Sequence, residues 1–147
     1  MQVRNSQFEK SLLNKIARVA TSLEREVEQE LKVSFALTFS QFRVLSGLLV
    51  LGEASQRELA TALEVTPAVV TRQAEVLAAR GLIVQRANPR SKREKVLVLT
   101  SKGEGAVYDA GKIIEDRQKQ LFAGLSLKDE TAFVRSIDAL EKLLTKE

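Results

Sequence analysis

A mainly α-helical chain carrying one small β-hairpin is what this sequence predicts, on three observations. Apolar residues recur at helical spacing from Phe8 to Leu31. Capping signals restart helices at short intervals between Thr38 and Gly81. Two strand-like runs joined by a basic turn follow at once, from Leu82 to Thr100. At 147 residues, 44% hydrophobic and 29% charged, the chain is one globular domain's worth.

The first helix places Phe8, Leu12, Ile16, Val19, Leu23, Val27 and Leu31 on one face. Such a helix would be about 40 Å long, more than the width of a small domain, so part of its apolar stripe calls for a partner subunit. The acidic run Glu24, Glu26, Glu28 and Glu30 on the same helix falls in two rows that cannot converge on one ion, and reads as a solvated face.

Thr38-Phe-Ser-Gln41 is a capping box and opens a second helix that stops at Gly52. Ser55-Gln-Arg-Glu58 is another and opens a short third helix. Thr66 as N-cap, with Pro67 at the first helical position, opens a fourth that ends at Gly81 in a left-handed cap. Two helices meeting at a tight turn around Glu64, Val65 and Thr66 have the spacing of a helix-turn-helix. On the second of them Val70, Ala74 and Leu77 face the core, while Ala68, Arg72, Glu75 and Ala79 lie opposite and Thr71 flanks them.

Leu82–Ala87 reads as a strand, Asn88–Arg93 as a turn with its Asn-Pro signal, and Glu94–Thr100 as the returning strand. Val96 to Leu99 anchor this hairpin on the helices, and Arg90, Lys92 and Arg93 are held out at its tip. Together these elements make a winged helix. Helical pattern resumes from about Ser101 to Ala123, although with Gly103, Gly105 and Gly111 inside it, and Ser126 with Asp129 opens a last helix.

Composition excludes several chemistries. Without cysteine there is no disulfide, thiolate zinc site or thiol redox switch. Without histidine the common transition-metal ligands and the usual general base near neutral pH are also missing, so no metal, cofactor or enzymatic activity is expected. Lys and Ser are plentiful, but none has a local partner that would activate it as a nucleophile. Net charge of +4 and a pI of about 9.5 suit an anionic partner. The first ten residues, MQVRNSQFEK, lack a signal peptide's apolar region. Val44–Leu51 falls far short of the roughly 20 residues that span a bilayer. A cytoplasmic, nucleoid-associated protein with no membrane partner is expected.

A helix fits the major groove of B-DNA, where its outward side chains meet base edges. Arg72 can fork onto guanine O6 and N7, with small neighbours such as Ala68 allowing close approach. Thr66, Thr71 and Glu75 complete that face. The helix starts at Thr38, Ser55, Gln56 and Thr66 are phosphate candidates. At the wing, Arg90 and Arg93 suit a narrow minor groove and Lys92 suits phosphate. An exposed arginine is usually only solvated, and a basic hairpin tip is often only a soluble turn. Their occurrence together, in this order, favours double-stranded DNA.

These residues resemble the MarR family of transcriptional regulators. The likeness runs through Thr38-Phe-Ser-Gln-Phe-Arg-Val-Leu45, Gln56-Arg-Glu-Leu-Ala60, Val70-Thr-Arg-Gln-Ala-Glu-Val-Leu-Ala-Ala-Arg-Gly-Leu-Ile83 and Val96-Leu-Val-Leu-Thr-Ser-Lys-Gly103, and covers nearly the whole chain. The resemblance implies a single domain over 1–147, with a DNA-binding lobe at about 34–100 and dimerisation helices at about 6–33 and 101–145. It implies a homodimer spanning a pseudo-palindromic site, Arg72 in the major groove and Arg93 in the minor groove. It also implies a repressor released by a small organic ligand, phenolic or aromatic, held between the dimerisation helices and the lobe. The family's wing usually reads Asp-Arg-Arg where Ser91-Lys92-Arg93 stands, and often has Asp at Asn88; Gln73 and Val76 also depart from its pattern. Losing both acids makes the tip more cationic and less fixed. With neither Cys nor His, peroxide-sensing and zinc-sensing members cannot be models for this chain. The alternatives are a winged helix that binds an acidic protein partner, or a non-specific DNA-coating protein.

Overall fold

The computed structural model describes residues 11–89 and 91–145. Among these residues six helices and three strands follow one another: α1 (Leu12–Phe35), α2 (Phe39–Leu51), β1 (Glu53–Ser55), α3 (Gln56–Ala62), α4 (Pro67–Ala79), β2 (Ile83–Asn88), β3 (Ser91–Leu99), α5 (Ser101–Phe122) and α6 (Leu127–Leu144). The chain divides into two compact units, one ending at Ile113 and the other beginning at Ile114, within α5. Phe8 and Arg90 lie outside the described residues, as do the side chains of Lys92 and Arg93.

Helix α1 starts at Ser11, whose hydroxyl accepts from the Asn14 amide at 3.2 Å, and it runs one turn beyond Leu31. It ends where Ala36 turns left-handed at φ 51°, returning its amide to the Lys32 carbonyl. Leu37 then enters the core, and the axis of α2 departs at 81° from that of α1. Leu31, Leu37, Leu45, Leu48, Leu59, Leu77, Ile83 and Leu97 are fully buried and make up most of the core.

Both expected capping boxes form. The Gln41 amide donates to Thr38 Oγ1 at 3.1 Å and the Thr38 amide to Gln41 Oε1 at 3.0 Å. Ser55 and Glu58 repeat the exchange at 3.2 and 2.8 Å. Helix α3 closes in a Schellman motif: Glu64 takes φ 54°, its amide reaches the Thr61 carbonyl, and the Val65 amide reaches that of Ala60. Helix α4 closes the same way, with Gly81 at φ 70° and the Leu82 amide on the Leu77 carbonyl. Val70, Ala74 and Leu77 are its buried residues, as the spacing predicted.

The β region differs from the expected hairpin in two respects. It is a three-stranded antiparallel sheet in the order β1-β3-β2, because Glu53, Ala54 and Ser55 pair with Val98, Leu97 and Val96. Three residues are too few to show strand alternation in a sequence. The turn is also tighter than Asn88–Arg93. Lys92 and Arg93 belong to β3, and the register jumps from Ala87↔Lys95 to Asn88↔Ser91, leaving Lys92, Arg93 and Glu94 as a bulge. Val96 and Leu97 anchor β3 in the core, while Val98 and Leu99 are half-buried.

The acidic run on α1 is not uniformly solvated. Glu24 is exposed, but Glu28 reaches across to the start of α2 and accepts from the Phe39 amide while pairing with Lys32 at 2.8 Å. A carboxylate at a helix N-terminus meets an unpaired amide and the positive end of the helix dipole. The Lys32 hydrogen bond holds the Glu28 carboxyl below its ordinary range; partial burial opposes this and the Phe39 amide adds to it.

Apolar faces remain open on this single chain. Leu12, Ile16, Val19 and Leu23 form an exposed stripe on α1. Helix α6 buries none of its residues, leaving Phe133, Ile137, Leu140 and Leu144 exposed, and Phe133 rests on Phe122 with ring centroids 5.8 Å apart. No single helix among the described residues is long and apolar enough to cross a membrane.

A carboxyl whose folded pKa is lowered contributes stability above its unfolded value of 4.5, and that contribution is lost as pH falls through the folded value. Glu28→Gln should therefore unfold more easily near neutral pH, by about 1 kcal/mol. Urea titrations at several pH values should show the difference closing under acid conditions; a constant difference would remove the charge from the account.

Candidate nucleic-acid interface

Helix α4 turns Thr66, Ala68, Arg72, Glu75 and Ala79 to the exposed side, while its buried residues hold it on the lobe. Arg72 stands in the middle of this face. Neither an ion pair nor a hydrogen bond engages it among the described residues, so its planar fork of donors is available to base edges. Ala68 lies one turn before it and Ala79 about two turns after, so side chains there do not hold a partner's backbone away.

Thr71 is half-buried, and its hydroxyl lies 2.7 Å from Gln56 Oε1 and 2.9 Å from the Pro67 carbonyl. The first contact joins the two helices of the helix-turn-helix directly through side chains. It fixes the amide group of Gln56 beside the start of α4, where its NH₂ end remains a donor. Two candidates placed on separate helices by sequence are thus neighbours in space.

The helix starts are not equivalent. At Thr38 the hydroxyl serves the capping box and Glu28 already sits on the Phe39 amide, so an incoming phosphate would meet a carboxylate. Ser55 is buried, and its amide and hydroxyl are both engaged with Glu58. Thr66 is exposed and makes no side-chain capping bond, which leaves its hydroxyl available at the N-terminus of α4.

Beside these residues lies a concavity of about 430 Å³ between the starts of α3 and α4 and the sheet. Ser55, Gln56, Arg57 and Pro67 line one side, and Gln85, Glu94, Lys95 and Leu97 the other. The base of the wing therefore adjoins the start of the exposed helix. Arg57 and Lys95 are exposed cations at this place that the sequence reading had not singled out. Arg57 could have been found as the residue after Gln56 in the first turn of α3. Lys95 carried no such signal, because its position depends on the bulge before it. A second, apolar concavity of about 400 Å³ lies between α2 and α3, with Phe39, Phe42, Val50 and Leu63 in its walls and Arg43 at its edge.

A helix-turn-helix whose second helix offers a free arginine between small residues, next to a three-stranded wing, defines a winged helix-turn-helix DNA-binding protein. Comparison with known proteins makes the class narrower. Residues 37–94 match the model of the MarR family. The chain is 30% identical over 128 residues to the uncharacterized HTH-type transcriptional regulator YwoH of Bacillus subtilis (strain 168), covering 87% of this chain and 92% of that one. Among solved structures, it is similar to BpsR of Bordetella bronchiseptica, whose DNA binding is regulated by 6-hydroxynicotinic acid (TM-score 0.81, 25% identity, 95% and 97% of the two chains). It is also similar to the organohalide-sensing transcriptional regulator RdhR in its 2,4-dichlorophenol-bound form (TM-score 0.75, 26% identity, 92% and 83% of the two chains). The chain belongs to the MarR family of transcriptional regulators.

Thr71→Val keeps the shape of the side chain and removes the link to Gln56. Chemical denaturation should show a loss of about 1 kcal/mol. Unchanged stability would mean that the hydroxyl is equally well served by water.

Proposed function

We propose that the protein is a homodimeric, sequence-specific repressor of transcription that a small organic effector, aromatic or phenolic, releases from a pseudo-palindromic DNA site. It acts in the cytoplasm, on the nucleoid, as a regulator and not as an enzyme. The observation that carries the DNA-reading part is Arg72, exposed and unengaged at the centre of α4. Residues of about 34–100 read the DNA, and those of about 6–33 and 101–145 form the dimer through apolar faces such as the α1 stripe, which one chain leaves open.

In this reading Arg72 meets a guanine, Ala68 and Glu75 flank it, and Thr66, Thr71 and Gln56 hold the phosphates beside the helix start. The wing residues Arg90, Lys92 and Arg93 reach the adjacent minor groove and backbone. Thr38 and Ser55 are weaker phosphate partners, because internal carboxylates already occupy their helix starts.

Release follows from a population shift. An effector with higher affinity for a lobe spacing that does not match one DNA turn, about 34 Å, lowers operator affinity by that difference. The aromatic ligands of BpsR and RdhR support an effector of this chemistry. A different place, the apolar concavity between α2 and α3 inside the lobe itself, offers two phenylalanine rings with Arg43 beside them, its guanidinium already donating to the Leu63 carbonyl at 2.6 Å.

A footprint of the purified protein on the DNA upstream of its own gene, with random duplex as competitor, tests the proposal. A two-fold symmetric protected patch is expected, and diffuse protection abolished by competitor would overturn it. Arg72→Ala should cost about 1–3 kcal/mol on that site and relax base preference; an unaltered preference would remove Arg72 from base reading. Lys92→Ala should instead weaken binding to every duplex and flatten the salt dependence by about one counterion, read from affinities at several salt concentrations.

A further inference from the structure

The C-terminal end of α4 is tied to both long helices that border the lobe. Arg80 follows the last residue of α4 and is half-buried. Its Nη1 donates to the Ala36 carbonyl at 2.7 Å and its Nη2 to the Phe35 carbonyl at 2.8 Å. Those carbonyls close α1, where backbone acceptors lack helical partners and the dipole is negative. A planar guanidinium presents two donors in a fixed fork to adjacent acceptors, whereas a lysine ammonium is a compact point charge on a flexible stem that fixes their direction less firmly.

Helix α5 holds the same turn from another direction. Lys102 Nζ donates to the carbonyl of Arg80 at 2.9 Å, and the Thr100 hydroxyl donates to that of Gly81 at 2.7 Å. Thr100 also accepts the Gly103 amide at 3.0 Å. The approach is so close that a Cβ at position 103 would meet the Leu82 carbonyl oxygen at 2.0 Å. Glycine is a poor helix former, yet at position 103 it is what lets α5 begin against the end of α4.

We propose that Arg80 is a positioning residue that fixes the angle of α4 on α1, and thereby the DNA half-site spacing the protein accepts. This rests on the homodimeric DNA-binding reading above. Helix α1 carries the open apolar stripe that a second copy would cover, and Arg80 joins its C-terminal end to the DNA-reading helix. Leverage makes the angle matter. A helix of 13 residues is about 20 Å long, so a tilt of about 10° at its C-terminal end moves its N-terminal end by about 3.5 Å, one base-pair step.

The test uses the full-length protein and an operator selected from a random duplex library. The selected half-sites are kept, and the centre is lengthened or shortened by one or two base pairs. Wild type should prefer one spacing by about tenfold or more. Arg80→Met, which keeps the stem without donors, should reduce that preference to about threefold or less while leaving base preference within each half-site intact. Arg80→Lys should fall between them. A preference as strict as wild type in Arg80→Met, or a uniform loss of affinity on all spacings and random duplex, would overturn the proposal and leave Arg80 with a structural role alone. Should Arg80→Met show no cooperative thermal transition, Arg80→Lys takes its place, and an undiminished preference there overturns the proposal equally. If wild type selects no two-fold repeated site, the homodimeric reading itself fails, and the proposal with it.

Discussion

Helix α4 has thirteen residues and buries the side chains of Val70, Ala74 and Leu77. A helix that must leave one whole face open to a partner has little apolar area with which to hold its place. Hydrophobic burial is also non-directional, so it sets the face of α4 more firmly than its angle. The angle is set at its ends and along its first turns, by polar contacts. Thr71 meets Gln56 near the beginning, and Arg80, Gly81 and Leu82 are held by α1 and α5 at the end. The rest of the lobe is arranged so that these contacts can be made: Ala36 turns left-handed to end α1 beside Arg80, and glycine stands at 103 so that α5 can begin against Leu82.

The same economy governs the charges. Helix N-termini attract anions, and a DNA-binding protein with several of them must satisfy some internally. Glu28 covers the start of α2 and Glu58 that of α3, each from within the chain. The start of α4, with Pro67 lacking an amide and Thr66 left uncapped by its side chain, is treated differently. Arg57 and Lys95 stand beside it. Two cations and one carboxylate, Glu94, thus border the place where the exposed arginine helix begins.

Open apolar surface tells a complementary story about assembly. The stripe from Leu12 to Leu23 on α1 and the exposed apolar residues of α6 have the periodicity of packed helices, yet stay uncovered among the described residues. For a member of the MarR family, a second copy is the occupant that fits both the pattern and the two-fold symmetry of a pseudo-palindromic site.

Local signals determined much of this protein from the sequence alone. Capping boxes at Thr38 and Ser55, the glycine cap at Gly81 and the inward set Val70, Ala74 and Leu77 depend on residues three or four apart, so a linear reading finds them. The exposed face around Arg72 follows from the same periodicity. Only the tertiary structure decided what depends on distant pairs. Strand β1 exists because β3, more than forty residues later, supplies its hydrogen-bond partners. The bulge that carries Lys92 and Arg93 appears only in the pairing, where consecutive Ala87 and Asn88 face Lys95 and Ser91. Glu28 read as one of four solvated carboxylates, yet the fold brings the first turn of α2 to it across eleven residues. Arg80, an ordinary last-turn cation in sequence, became a link to α1 only when the chain placed it beside carbonyls more than forty residues away. Periodicity and capping are short-range consequences of backbone geometry; the partners of a side chain at the end of an element are set by how elements pack.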